Sequence, residues 1–477
     1  MAKLGRWLIV AGLLGCSAAG TALYGLERAG ITPRALAPYI AHRSQGHNPT
    51  IEALGAKAQH WLLTADRGTQ ALPQVFDSSL GAQPAAVSGP AGTILEVANA
   101  AALRKALAAA QPGTVITLSP GHYRLEVQPL ALTRPGTEAA PVTVRAARPG
   151  TVFIGMALQE GFKVAAPYWR FENLTIQGVC ARHTDCEHAF HVVGAAHHFT
   201  AHNNTILDFN AHFKINGLDG QFPDHGAIVA NTLSNTAPRD TANPVTPVDL
   251  VAASHWSIRR NVISDFIKLE GDRVSYGAFV KGGGEHNVLE QNAVLCEQRL
   301  HGAGGQRIGL SLGGGGTTKA YCRDQRCIME QSEGVIRANL VASCSDAGIY
   351  LNSAARSSVL HNTLLDTGGV LARFSSTSAN VAGNLIDGPV LVQQGAQVRL
   401  DDNLTTSVMR LYAASHPQRD WFNNVRNLDL AWRVPAPRRA AAVQAPDLCG
   451  TERPATPRYG AFEDFAACRS GSAAKAN

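Results

Sequence analysis

A short phrase recurs along the middle of the chain: alternating apolar and polar residues, an asparagine, an aliphatic pair and often an aspartate. Its asparagines are Asn173, Asn204, Asn261, Asn292, Asn339, Asn362, Asn384 and Asn403, at intervals of 31, 57, 31, 47, 23, 22 and 19 residues. The last three intervals define a unit near 20–23 residues, and the longer ones suit one or two units with inserted loops. A unit this short cannot bury its own apolar face, so copies must stack, each strand pairing with its counterpart in the next coil. Asparagines aligned at the turns would then bond to one another and satisfy backbone groups left unpaired by the bend. The pattern predicts an all-β fold, a right-handed parallel β-helix of roughly ten coils. Propellers and leucine-rich horseshoes carry other periods and signatures, which are absent.

Composition agrees. Hydrophobic residues make up 45% of the 477 and charged residues only 16%, which supports a large core and excludes wholesale disorder. A formal charge of +6 is too small to mark a nucleic-acid binder, but it suits an acidic partner. Lys3 and Arg6 precede an apolar run from Trp7 to Gly15, so residues 1–25 read as a signal peptide or an N-terminal membrane anchor. The anchor is favoured because no clean cleavage site stands out, although Leu13-Leu14-Gly15-Cys16 resembles a lipobox. Every version puts the protein outside the cytoplasm, in the periplasm or tethered to the envelope. It would touch membrane only through that segment, and a monomer is expected. The other eight cysteines are even in number, as in a disulfide-stabilised exported chain. Sequence proximity pairs Cys180 with Cys186, Cys322 with Cys327 and Cys449 with Cys468, leaving Cys296 for Cys344.

The ends differ from the middle. Residues 26–92 read as a helical segment and linker, residues 93–430 as the β-helix and residues 431–477 as a wrapping tail. Ala100 to Ala110, with Leu103 and Leu107 four apart, reads as an amphipathic helix capping the open end of the core.

Two passages resemble the chondroitinase B and alginate lyase family, polysaccharide lyase family six, within the pectin-lyase-like superfamily. One spans residues 99–156, with Pro112-Gly113-Thr114-Val115-Ile116 and Pro141-Val142-Thr143-Val144-Arg145. The other is Val280-Lys281-Gly282-Gly283-Gly284-Glu285-His286-Asn287, similar to the family's catalytic-lysine coil. A third, Asp447 to Arg453 with Gly460-Ala461 and Glu463, looks like a closing motif of exported β-helix proteins. The resemblance implies an enzyme of the lyase type. It also implies calcium held five and seven residues before the lysine, where this chain has Tyr276 and Val274, so calcium stays open only through the resemblance and no cofactor is assigned. The family's arginine follows a Leu-x-Leu strand, whereas Leu310-Ser311-Leu312 is followed by Gly313.

Strand alternation selects the outward side chains. Asp249, Phe279, Lys281, Arg307, Ser311, Tyr350 and Asn352 fall between inward aliphatics, and with Arg373 they would line a cleft suited to an acidic polysaccharide. β-Elimination from a uronate needs a cation on the carboxylate, a base for the C5 proton and an acid for the leaving oxygen. Lys281 is the candidate base, Arg307 or Arg299 the carboxylate holder and Tyr350 the acid. Phe279, Asn352, Arg373 and Asp346 are assigned to substrate binding. Pro223-Asp224-His225-Gly226 would place an acid and a histidine at the rim. Eight histidines crowd residues 183–225, yet none forms the helical His-Glu-x-x-His motif of a zinc protease, and no metal site is assigned. C5-epimerisation, glycoside hydrolysis through two of Asp224, Asp249 and Asp346, and a non-catalytic glycan-binding scaffold are the competing readings.

Overall fold

The computed structural model describes residues 20–68, 76, 78–302, 304–314, 316–440 and 445–469. Three long parallel sheets of 12, 10 and 11 strands wind around one apolar core, a right-handed parallel β-helix. Aromatic rings fill the early coils, where Phe162, Phe171, Phe190, Phe199 and Phe213 stack on one another, and aliphatics fill the later ones.

The asparagine ladder is continuous from Asn204 through Asn231, Asn261, Asn292, Asn339, Asn362 and Asn384 to Asn403. Each Oδ1 accepts from the backbone and side chain of the preceding rung, and each Nδ2 donates to a carbonyl of the coil before. Two details differ from the sequence reading. The 57-residue interval holds an unrecognised rung, Asn231. Asn173 belongs to a neighbouring row of left-handed residues, bonded to Asn203, while Leu174 occupies the ladder position. Asn292→Ala would orphan the buried Asn261 amide and the Ile258 carbonyl. At about 1–3 kcal/mol for each orphaned group, the expected loss is about 2–6 kcal/mol in urea unfolding.

The open end of the first coil is covered by a helix, Ala100–Ala109, capped by Asn99, with Leu103, Ala106 and Leu107 buried. The C-terminal segment returns along the outside of the 11-stranded sheet. Leu448, Phe462 and Phe465 cover the outward apolar residues Val262, Leu295, Leu340 and Leu385 there. All four predicted disulfides are present: 180–186, 296–344, 322–327 and 449–468. Residues 1–19, most of the stretch expected to be a signal peptide or anchor, lie outside the described residues, and among those described no helix is long and apolar enough to cross a membrane.

Two N-terminal helices, α1 (Pro33–Ser44) and α2 (Pro49–Arg67), form a hairpin docked on the last coils. A buried ionic network holds it. Arg34 pairs with Asp66 and Asp366 and donates to the Cys344 carbonyl, while Arg67 reaches Asp366 and Glu297. Arg419 donates to Asp387 and to the backbone carbonyls of Asp66 and Arg67.

Candidate active-site groove

The groove lies on the outer face of the 10-stranded sheet. Register aligns one outward row as Lys163, His191, Lys214, Asp249, Phe279, Ser311, Tyr350, Leu371 and Leu391. Two residues further along each strand runs a second row, in which Asn216 is followed by Val251 and Lys281, and Asn352 by Arg373 and Gln393.

Lys281 sits half-buried with its ammonium 4.4 Å from the Phe279 ring centre. Burial pushes its pKa down; Asp249 opposes the shift and Lys214 adds to it. Lys214 donates to Asp249 Oδ2 at 2.9 Å, and His191 bridges Glu160 at 2.9 Å and Asn216 at 2.8 Å. A basic-and-acidic strip thus leads up to Lys281 from the early coils. Lys214, Asn216 and His191 were not singled out from the sequence, although Phe213-Lys214-Ile215-Asn216 carries the same in-out alternation as the strands that were.

Other candidates fall elsewhere. Arg307 does not join Lys281. Gly277, Gly309 and Gly348 each point their missing Cβ at the core or at the next coil's backbone, so the alternation reverses there. Ile308 and Tyr276 therefore turn outward to pack with Tyr350, while Arg307 is buried against Glu297 at 2.5 Å. Arg299 turns to Asp265 and the Ser234 hydroxyl at the opposite corner of its coil. Phe279 is only 5% exposed and serves as the floor under Lys281 rather than an open sugar platform. Tyr350 and Asn352 are equally buried; the Tyr350 hydroxyl accepts from Asn352 Nδ2 at 2.9 Å and from Arg373 Nη1 at 3.4 Å. Asp346 lines the same end of the groove.

Asp224 and His225 are not poised as an acid and base. Arg323, from the 322–327 disulfide loop, grips both Asp224 oxygens at 2.8 Å and lies over the Phe222 ring. Asp224 also accepts from the Ser254 amide. His225 belongs to a stack of rings, Tyr168, His198, His225, His255 and His286, with centroids 4.6–5.1 Å apart. Each occupies the one left-handed position that its coil places at that corner. Among the described residues no group of three His, Cys, Asp or Glu is placed to hold a metal ion. Tyr276 and Val274, at the positions the resemblance gives to calcium ligands, pack in an apolar cluster and do not fit that role.

The other end of the groove is walled. Between the helical hairpin and the sheet lies a cleft of about 820 Å³, bordered by Thr32, Arg34, Leu63 and Arg67 on one side and by Tyr276, Tyr350 and Arg373 on the other.

This parallel β-helix architecture is found in solved structures of other proteins. The structure is similar to that of pectate lyase Pel9A, with a TM-score of 0.52 and 16% identity over 81% of this chain and 98% of that one. It is also similar to the PL6 family alginate lyase AlyGC (TM-score 0.33, 15% identity, 66% of this chain and 51% of that one). An alginate lyase from Paenibacillus sp. str. FPU-7 aligns with a TM-score of 0.35 and 14% identity, over 66% of this chain and 98% of that one. No family model matches the chain, and no curated protein matches it in sequence. The protein has a polysaccharide lyase-like fold.

Proposed function

We propose that this protein acts outside the cytoplasm on an acidic polysaccharide and cleaves it by β-elimination, with Lys281 as the base. The observation that carries the reading is Lys281 itself, a lysine of lowered pKa half-buried above an aromatic floor on the outer face of the 10-stranded sheet. Its neutral amine takes the C5 proton, the C4–O bond breaks as the C4–C5 double bond forms, and the leaving oxygen acquires a proton. Lys214, the nearest cation along the strip, takes the carboxylate role first given to Arg307, through the ammonium hydrogens that its bond to Asp249 does not use. Tyr350 remains the candidate acid, and Arg373 holds its hydroxyl. Hydrolysis is less well supported, since Asp224 and Asp249 are each committed to a cation.

The test is incubation with alginate, pectate and glycosaminoglycans while unsaturated-uronate absorbance is followed. No absorbance from folded protein across the panel would sink the reading, and new reducing ends without absorbance would favour hydrolysis. Activity should climb with pH as Lys281 loses its proton. The midpoint should fall below the about 10.4 of an ordinary lysine, because the shift is downward. A kcat–pH curve still flat or rising only above that value would argue against Lys281 as the base.

A further inference from the structure

The groove is open at one end and closed at the other. Towards the first coils its outward row runs through Lys163 to Ala131, which is exposed. Towards the last coils it meets the N-terminal segment. Gly30 lies so close to Leu391, the final residue of the row, that a Cβ there would sit 2.6 Å from Leu391 Cδ2. The crossing is fixed on both sides: the Tyr412 hydroxyl donates to the Ile31 carbonyl at 3.1 Å, and the Met409 amide donates to Glu27 at 2.7 Å. Behind it stands the hairpin, clamped by Arg34, Asp66 and Asp366.

Leu391 is four coils beyond Phe279, or about 19 Å at roughly 4.8 Å per coil. A polymer lying along the row cannot continue past that point, so a chain must stop there. Arg373 lines the last stretch of the path and offers a guanidinium suited to a terminal uronate carboxylate.

We infer that the walled cleft is a terminal subsite that binds one end of an acidic polysaccharide, making the protein exolytic and releasing a short oligosaccharide of fixed length. This rests on the proposed function, but two measurements separate them. The first is the course of digestion on whichever polymer of the panel is cleaved. Unsaturated product of one short length should accumulate from the outset while viscosity hardly falls. An early collapse of viscosity with mixed product lengths would overturn the closed end and leave β-elimination standing.

The second needs no turnover. Short oligogalacturonides and oligoalginates, each coupled to a bulky carrier through one end or the other, are titrated into the Lys281→Ala protein. Blocking one particular end should weaken binding at least tenfold and blocking the other should not. Arg373→Ala should weaken binding of the free oligomers by a similar factor. Equal binding whichever end is blocked, or no binding of any oligomer, would overturn the inference even if the panel shows no cleavage. End-dependent binding without cleavage would support the subsite and sink the elimination.

Discussion

Lys281→Ala is expected to lower kcat for the elimination by about 10²–10⁴-fold, the usual contribution of a positioned base. Lys281→Arg should fall as far, because a guanidinium keeps the charge but cannot accept the proton at accessible pH. Stability should hardly change, since the side chain is half-exposed and its main contact is with the Phe279 ring. Substitutions at such positions usually fall within about 0.5 kcal/mol. Circular dichroism and a urea titration on the same preparations separate lost chemistry from lost fold. Undiminished turnover in both variants would remove Lys281 from the mechanism. A protein that binds glycan normally, with no activity in variant or parent, would instead be a scaffold.

The second large effect concerns stability. Asp387 is fully buried, accepts from Arg419 Nε at 2.5 Å and from the Asp366 amide at 3.0 Å, and lies 2.9 Å from His416 Nδ1. Burial alone would raise its pKa, but Arg419 and His416 overcome this and hold the carboxyl well below its ordinary range. Asp387→Asn keeps the shape but leaves the Arg419 charge with only the more distant Asp366 carboxylate at 4.0 Å, at a cost of about 3–5 kcal/mol. A carboxyl with a depressed folded pKa contributes stability above its unfolded value, near about 3.9, and loses it as pH falls through the folded value. The gap in unfolding free energy between the two proteins should therefore be full at neutral pH and shrink below about pH 4. A gap that ignores pH would show that the charge on Asp387 is not what the network uses.

Much of this molecule is legible in its sequence because a solenoid repeats local rules. The asparagine phrase, the capping helix and the cysteine pairs each follow from neighbours a few dozen residues away or fewer. Asn231 escaped because it follows a long loop and carries a single aliphatic, Leu233, in place of the pair. Arg307 was misplaced for a subtler reason, since strict alternation fails where two consecutive residues face inward, as Gly309 and Leu310 do. Arg323 had a faint signal, a cation inside the short loop closed by the 322–327 disulfide, but nothing local names Asp224 as its partner. The hairpin wall was invisible for the same reason, because its contacts bridge 230 residues or more.

That last distance has a kinetic side. α1 and α2 are made first, yet the surfaces that receive them, around Asp366, Asp387 and Arg419, leave the ribosome after nearly all the coils. The hairpin must wait for the last coils, its docking face uncovered and Arg34 paired with Asp66 but still without Asp366 and the Cys344 carbonyl. Such a chain completes its fold by closing a clasp between first and last, and the interval before closure is when it is most exposed to aggregation or proteolysis.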